Sequence, residues 1–271
     1  VTSIHANGAL ANNRSQIYIG TVLLELNRWT REKLPTFSVS DWIPRFQAAG
    51  FDGIELWENH AMLAGPAELT ALEASPLPVR VFNSYVGFED TPESVSRREE
   101  VAGAADRLRA AGVKFNVGRD PRLRETYIRN AVEWQKRLPA DCRMLCECHS
   151  GTILEGLDAA AAAFGDWTDS RFQAIVHVFP LAPGDLRKWF AALGPRTTHA
   201  HVQFADENGV RMRLNKRPAP VRECLRVLEG EGFRGSFTLE FTEGTRTPGE
   251  NIEDLFRNAA EDLSFLRENL R

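Results

Sequence analysis

Four short apolar runs in the second half of the chain each carry, at or near their end, a side chain able to bind a metal ion. Residues 142–152 (CRMLCECHSGT) carry Glu147 and His149, AIVHVF carries His177, THAHVQF carries His199 and His201, and SFTLEF carries Glu240. A carboxylate or imidazole buried in such a run without a partner costs several kcal/mol, roughly. One divalent cation offsets that cost for several groups at once. Glu147, His177, His201 and Glu240 are therefore expected to converge on one ion, each from a different run. Mixed oxygen and nitrogen donors suit Mn, Zn, Co or Fe, whereas Ca and Mg favour oxygen shells. Singly, each group also has an ordinary role: Glu147 could pair with Arg119 or Arg143, and a lone His177 or His199 could be a satisfied core histidine. His199 and His201 share one strand face. His201, nearer the strand end, is the expected ligand, and His199 lies one layer deeper.

The elements that must position these groups alternate along the chain. Apolar runs fit for strands are residues 17–24 (IYIGTVLL), GIELWEN, LPVRVFNSY, VKFNVG, the run from 142, RFQAIVHVF, THAHVQF and GSFTLEF. Helical spacing follows each strand, over 40–49, 67–73, 91–111, 121–138, 153–164, 183–193, 218–231 and 250–270. Ser40 is the expected cap of the first helix and Gly50 its stop; Pro92 opens the third and Gly112 closes it. Eight strand–helix units in strict alternation predict parallel strands with right-handed crossovers. The expected fold is α/β, a single (β/α)8 TIM barrel over 17–271. Residues 1–16 read as a polar flexible leader without the basic start and apolar core of a signal peptide. No GxGxxG turn follows the first strand, so a dinucleotide-binding sheet has no support.

Barrels of this kind carry their active sites at the C-terminal ends of the strands. Glu55 and His60 then fall at the end of the second strand, Asn83 at the third and Asn116 at the fourth. Five of the six histidines lie at or near this face. Expected substrate contacts are Glu55, His60 and Asn83, with Arg211 and Lys216 from the basic loop after the seventh strand. That loop could grip a carboxylate, phosphate or sugar hydroxyl, or be a solvated surface loop. Trp57, Phe88 and Phe241 could wall a small ring. A net charge of −4 gives no support for a nucleic-acid partner. No run approaches the roughly 20 apolar residues of a membrane span. Cys142, Cys146, Cys148 and Cys224 do not form a secreted disulfide framework, and reduced thiols in a cytoplasmic protein are expected.

The stretches FDGIELWENH, CECHSGT, HAHVQFADENG and GFRGSFTLEF resemble the xylose isomerase-like TIM-barrel superfamily, the sugar phosphate isomerase/epimerase group that also includes the endonuclease IV type. The resemblance spans residues 17–270. It implies a divalent metal, most often Mn, held by Glu, Asp, His and Glu of the last four strands, at the positions of Glu147, His177, His201 and Glu240. It implies a small-molecule sugar or polyol-type substrate that is isomerised, epimerised, dehydrated or cleaved as a C-glycoside, through a metal-stabilised enediolate. Glu147 and Glu240 would be the acid/base pair, and His149 a second candidate base. Family barrels often associate, so a homo-oligomer is expected. The trinuclear zinc site of the endonuclease IV type needs more histidines and carboxylates than this chain carries at the matching places. One departure stands out: the family's sixth strand usually carries an Asp followed three residues later by a His, and here those positions are His177 and Pro180. The site thereby loses a negative charge, which favours Zn, Mn, Fe or Co over Mg. The alternative to an enzyme is a non-catalytic or partner-dependent metal- or sugar-binding barrel, a subunit of a larger enzyme such as a C-glycoside-cleaving complex.

Overall fold

A computed structural model describes residues 14–270. Eight strands run in sequence order around a closed barrel: β1 (Ile17–Gly20), β2 (Gly53–Trp57), β3 (Val79–Asn83), β4 (Gly112–Phe115), β5 (Arg143–Glu147), β6 (Phe172–His177), β7 (Thr197–Val202) and β8 (Ser236–Leu239). Every neighbouring pair is parallel, and β8 closes on β1. The α/β barrel expected from the alternation is the observed fold.

Alternation along each strand separates two faces. Ile17, Ile19, Ile54, Leu56, Val113, Phe115, Ala174 and Val176 join the main core, fully buried. Tyr18, Val81, Leu145 and Ile175 form a separate apolar cluster. These share strand faces with the site residues: Val81, Leu145 and Ile175 lie two residues before Asn83, Glu147 and His177. They make the floor on which the polar groups stand.

Several boundaries differ from the sequence expectation. The run 17–24 is a strand only over its first four residues; Thr21–Leu24 turn into a 3-10 helix. The Thr21 hydroxyl accepts the Trp57 amide at 2.9 Å, which draws the chain off the sheet. Helix α1 (Val39–Ala49) starts after Ser38, and Ser40 instead binds Glu68 of α3 (Pro66–Glu73) through its amide and hydroxyl. A short helix not expected, α2 (Asn59–Met62), follows β2 and contains His60. Helix α4 (Pro92–Arg107) stops earlier than expected, with Arg109 in the left-handed region at φ 51°. Gly112, the expected stop, opens β4 instead; a β-carbon there would meet Leu145 Cδ1 of β5 at 3.0 Å. A 3-10 turn at Pro121–Leu123 precedes α5 (Arg124–Gln135). Helix α6 (Leu157–Asp166) begins later than expected, after Gly156. Helices α7 (Pro183–Leu193) and α8 (Pro218–Gly230) follow β6 and β7, and α9 (Ile252–Asn269) begins at Asn251, whose side chain accepts the Asp254 amide at 2.9 Å.

Of the leader expected over 1–16, residues 1–13 lie outside the described residues. Arg14 donates to Asp52 at 2.9 Å, and the Ser15 carbonyl accepts from Arg267 at 2.6 Å. The four cysteines are unpaired. Among the described residues no helix is long and apolar enough to cross a membrane.

Candidate metal centre

Strands β5, β6 and β7 and the residue after β8 bring Glu147, His177, His201 and Glu240 together at the C-terminal mouth. One donor atom from each lies within 4.8 Å of all the others. His177 Nε2 is 2.9 Å from Glu147 Oε1 and 3.3 Å from His201 Nδ1. His201 Nδ1 is 3.5 Å from both Glu147 Oε1 and Glu240 Oε2, and His177 Nε2 is 3.9 Å from Glu240 Oε2. Four donors around one ion at about 2.1 Å would stand about 3.4 Å apart in a tetrahedron. The observed separations bracket that value, so the donor set fits one divalent ion. Ligand side-chain exposure is 26% at His177 against 3% at Glu147, which puts His177 on the open lip.

The second oxygen of Glu147 is also engaged. Lys114 Nζ lies 2.7 Å from Oε2, and Asn116 donates to the same oxygen at 2.9 Å. Burial works against ionisation of Glu147, but Lys114 and the two histidines outweigh it and hold the carboxyl well below its usual range. Burial likewise opposes the Lys114 charge, and Glu147 more than restores it. Lys114 escaped the sequence reading. Its signal was the alternation in GVKFN: Val113 and Phe115 face the helices, so Lys114 and Asn116 must face inward. Gln203, two residues beyond His201, also went unread; it donates to Glu240 Oε2 at 2.9 Å.

Beneath these four candidate ligands lies a second candidate group, Glu55, His199 and His201. Glu55 Oε2 is 3.2 Å from His201 Nε2 and 3.3 Å from His199 Nε2, and Oε1 accepts from Asn83 at 2.9 Å. His201 thus joins the two groups, one ring nitrogen in each. Burial opposes the charge on Glu55, and His201 and His199 override it and depress the carboxyl. Burial pushes His199 down to about 4, so it is neutral near pH 7. For His201, burial is outweighed by Glu55 and Glu240, which raise its pKa well above the ordinary value.

No protein-family model matches the sequence, and no curated protein matches it. Solved structures do. The probable 3-DHS dehydratase AsbF from Bacillus anthracis is 16% identical, with 92% of this chain and 98% of that one covered at a TM-score of 0.66. A xylose isomerase-like TIM barrel protein from Mycobacterium smegmatis, in complex with magnesium, is 15% identical over 95% and 98% of the two chains at 0.65. The 3-keto-D-glucoside 4-epimerase YcjR from E. coli is 13% identical over 93% and 100% at 0.65. The chain shares the barrel fold of these proteins.

Within that barrel the other residues singled out from sequence are placed as follows. Glu55 and Asn83 lie under the ligands, each 1% exposed. His60, expected at the substrate, is instead locked beneath the surface: Nε2 lies 2.6 Å from Glu25 Oε1 and Nδ1 2.9 Å from Thr21 Oγ1. His149 is exposed, its Nδ1 2.6 Å from the Ser150 carbonyl oxygen. Arg211 is half-buried over the Phe241 ring, 5.6 Å from its centroid. Lys216 is exposed and paired with Glu243 at 2.7 Å. Of the expected aromatic walls, Phe88 packs on Phe115 and Trp134 between sheet and helices, away from the mouth. Trp57 is buried against His60, and Phe241 is half-buried beside Trp29. A cavity of about 390 Å³ reaches the site, lined by Glu147, Cys148, Ile175, His177, Leu181 and Trp189 among others.

Proposed function

We propose that this chain is a divalent-metal-dependent enzyme that isomerises, epimerises or dehydrates a sugar or related polyhydroxylated carbonyl compound. The observation that carries the reading is the convergence of Glu147, His177, His201 and Glu240 from four consecutive strand ends. The likeness to AsbF, a probable 3-DHS dehydratase, and to YcjR, an epimerase, supports it, as does the magnesium in the Mycobacterium smegmatis barrel. The cavity is of a size that small ligands occupy. Mn is the first candidate ion, with Zn, Co and Fe next.

A bound divalent ion polarises a carbonyl and stabilises the charge that builds on its oxygen during proton removal. The residues divide the remaining work unequally. Glu147 is held ionised by Lys114, Asn116 and His177, so it serves as a fixed ligand and as the weaker base of the pair. Glu240 has a lighter hold, one hydrogen bond from the Gln203 amide and His201 at 3.5 Å, both at Oε2, which leaves Oε1 to take and return the proton. Asn83 Oδ1 is buried and without a partner among the described residues, which suits it to accept from a substrate hydroxyl.

The deciding experiment loads the purified chain with Mn²⁺ and incubates it in heavy water with a panel of ketoses, aldoses and keto-inositols. Deuterium entering the carbon beside the carbonyl is the expected result. Tight metal binding with no exchange on any compound would favour the non-catalytic barrel of a larger enzyme. Failure to bind one equivalent of any divalent ion would sink both.

A further inference from the structure

The loops after β1, β7 and β8 build a layered stack at one side of the mouth. The rings of Trp29 and Phe241 lie 5.7 Å apart. The Arg246 guanidinium sits 4.0 Å from the Trp29 centroid, Arg28 5.8 and 5.9 Å from the two rings, and Arg211 5.6 Å from Phe241. Three like charges therefore share two rings, and they repel one another unless anions lie among them. Glu250 answers Arg28. Among the described residues nothing answers the guanidinium groups of Arg211 and Arg246; Arg246 uses only its backbone amide, donating to Glu250 at 3.0 Å.

The contrast with the rest of the same loop is direct. Arg213 is paired with Glu261, Lys216 with Glu243 and Arg217 with Glu207. Arg211 is the cation of that loop buried deepest without such a partner. Burial lowers its pKa and Arg246 adds to that effect, while nearby Glu240 opposes it. Arg211 therefore stands beside a metal ligand and carries its charge at a cost. Arg246 is held in the left-handed region, at φ 63°, a conformation that a β-carbon disfavours. Trp29, on whose ring it lies, remains 51% exposed. A guanidinium laid on a ring face keeps its N–H edge free, and that edge matches the two oxygens of a carboxylate or phosphate.

We propose that Arg211 and Arg246, seated on Phe241 and Trp29, form an anion subsite beside Glu240 that takes the carboxylate or phosphate of the substrate. The subsite rests on the reading of the metal centre as the catalytic site and narrows its substrate to an acidic one. Glu250, the other carboxylate at the stack, is already neutralised by Arg28 and leaves the two free cations to the ligand.

The test is calorimetric titration of the Mn²⁺-loaded chain at low salt with D-glucuronate, inorganic phosphate and, as the neutral control, D-glucose. At least one anion should bind about tenfold or more tightly than glucose, in line with the strength of charged hydrogen bonds. Which of the two binds better separates a sugar acid from a phosphate ester. In the Arg211→Gln/Arg246→Gln double variant that advantage should vanish, with neither Mn²⁺ affinity nor melting temperature lowered. Equal anion binding by wild type and double variant, or no preference for either anion over glucose, overturns the subsite. Loss of Mn²⁺ binding in the wild type overturns the metal centre instead, and the same titrations on chelator-treated protein still decide the subsite.

Discussion

The link between Glu55 and His201 makes a sharp prediction for Glu55→Gln. If His201 Nε2 carries the proton and donates to Glu55 Oε2 at 3.2 Å, Nδ1 presents its lone pair to the ligand cluster. Glu55 can accept from His201, His199 and Asn83 together because a carboxylate has only acceptors. A glutamine cannot. With its oxygen toward the imidazoles, its NH2 meets the Asn83 amide donor unless that amide turns to offer its unpartnered Oδ1, and in either case the negative charge facing the imidazoles is lost. With its NH2 toward the imidazoles, it forces His201 to put the proton on Nδ1, where the ion must bind. Loss of such a partner costs about 10- to 100-fold in metal affinity, or about 1.4 to 2.7 kcal/mol. Titration with Mn²⁺ and Zn²⁺ should show that loss while circular dichroism shows an intact barrel. Affinities within about twofold of wild type, in a folded variant, would refute the claim that Glu55 sets the tautomer of His201.

Three further predictions follow from the same geometry. Lys114→Met leaves Glu147 buried without its cation, which should destabilise the metal-free chain by about 3–5 kcal/mol in urea titrations, with saturating Mn²⁺ recovering part of the loss; an unchanged midpoint would contradict it. Glu240→Gln and Glu147→Gln should each abolish turnover and weaken metal binding while the barrel stays folded, as read by deuterium exchange beside metal titration; near-normal exchange in either would undo the assignment. Burial pushes the Asp262 carboxyl up to about 7, against hydrogen bonds from Thr242 and the Leu214 amide. The unfolded chain releases that proton near 3.9, so this group's stabilisation is full below pH 4, falls as pH rises and levels off above 7. At about 1.36 kcal/mol per unit the loss is at most about 4 kcal/mol, and Asp262→Asn should remove that part of the slope in urea midpoints taken from pH 4.5 to 7.5.

The barrel was legible because its signal is redundant: eight apolar runs alternate with helical spacing, and a misplaced boundary in one does not disturb the others. The over-long first strand shows the limit. IYIGTVLL reads as one apolar run, and nothing in hydropathy tells a strand from the 3-10 turn that begins at Thr21, whose hydroxyl accepts the Trp57 amide. The convergence of Glu147, His177, His201 and Glu240 was legible because ionisable groups at the ends of buried strands need partners. Lys114 was hidden by the same logic, counted as part of an apolar run although its position on the inner face required a counter-charge. His60 was misplaced because its partner, Glu25, belongs to the loop after β1, whose path over the barrel no local pattern encodes. The Trp29 stack was invisible for that reason too, since its members come from three loops far apart in sequence.

The charge around the ligands decides which ions suit the site. Glu147 and Glu240 bring two negative charges, His177 brings none, and Lys114 returns one positive charge to Glu147. With neutral imidazoles the immediate set sums to one negative charge. A hard ion such as Mg, bound mainly by charge and slow to shed water, gains little from such a set. Two imidazoles offer nitrogen lone pairs whose hold depends less on net charge, which favours Mn, Fe, Co or Zn over Mg. His177 and Lys114 therefore act in the same direction: one replaces anionic charge by nitrogen, and the other neutralises part of what remains. On the proposed reading of the site, an imidazole at the sixth strand would favour softer ions without dismantling the cluster, because Glu55 holds His201 from below and Lys114 holds Glu147 from the side.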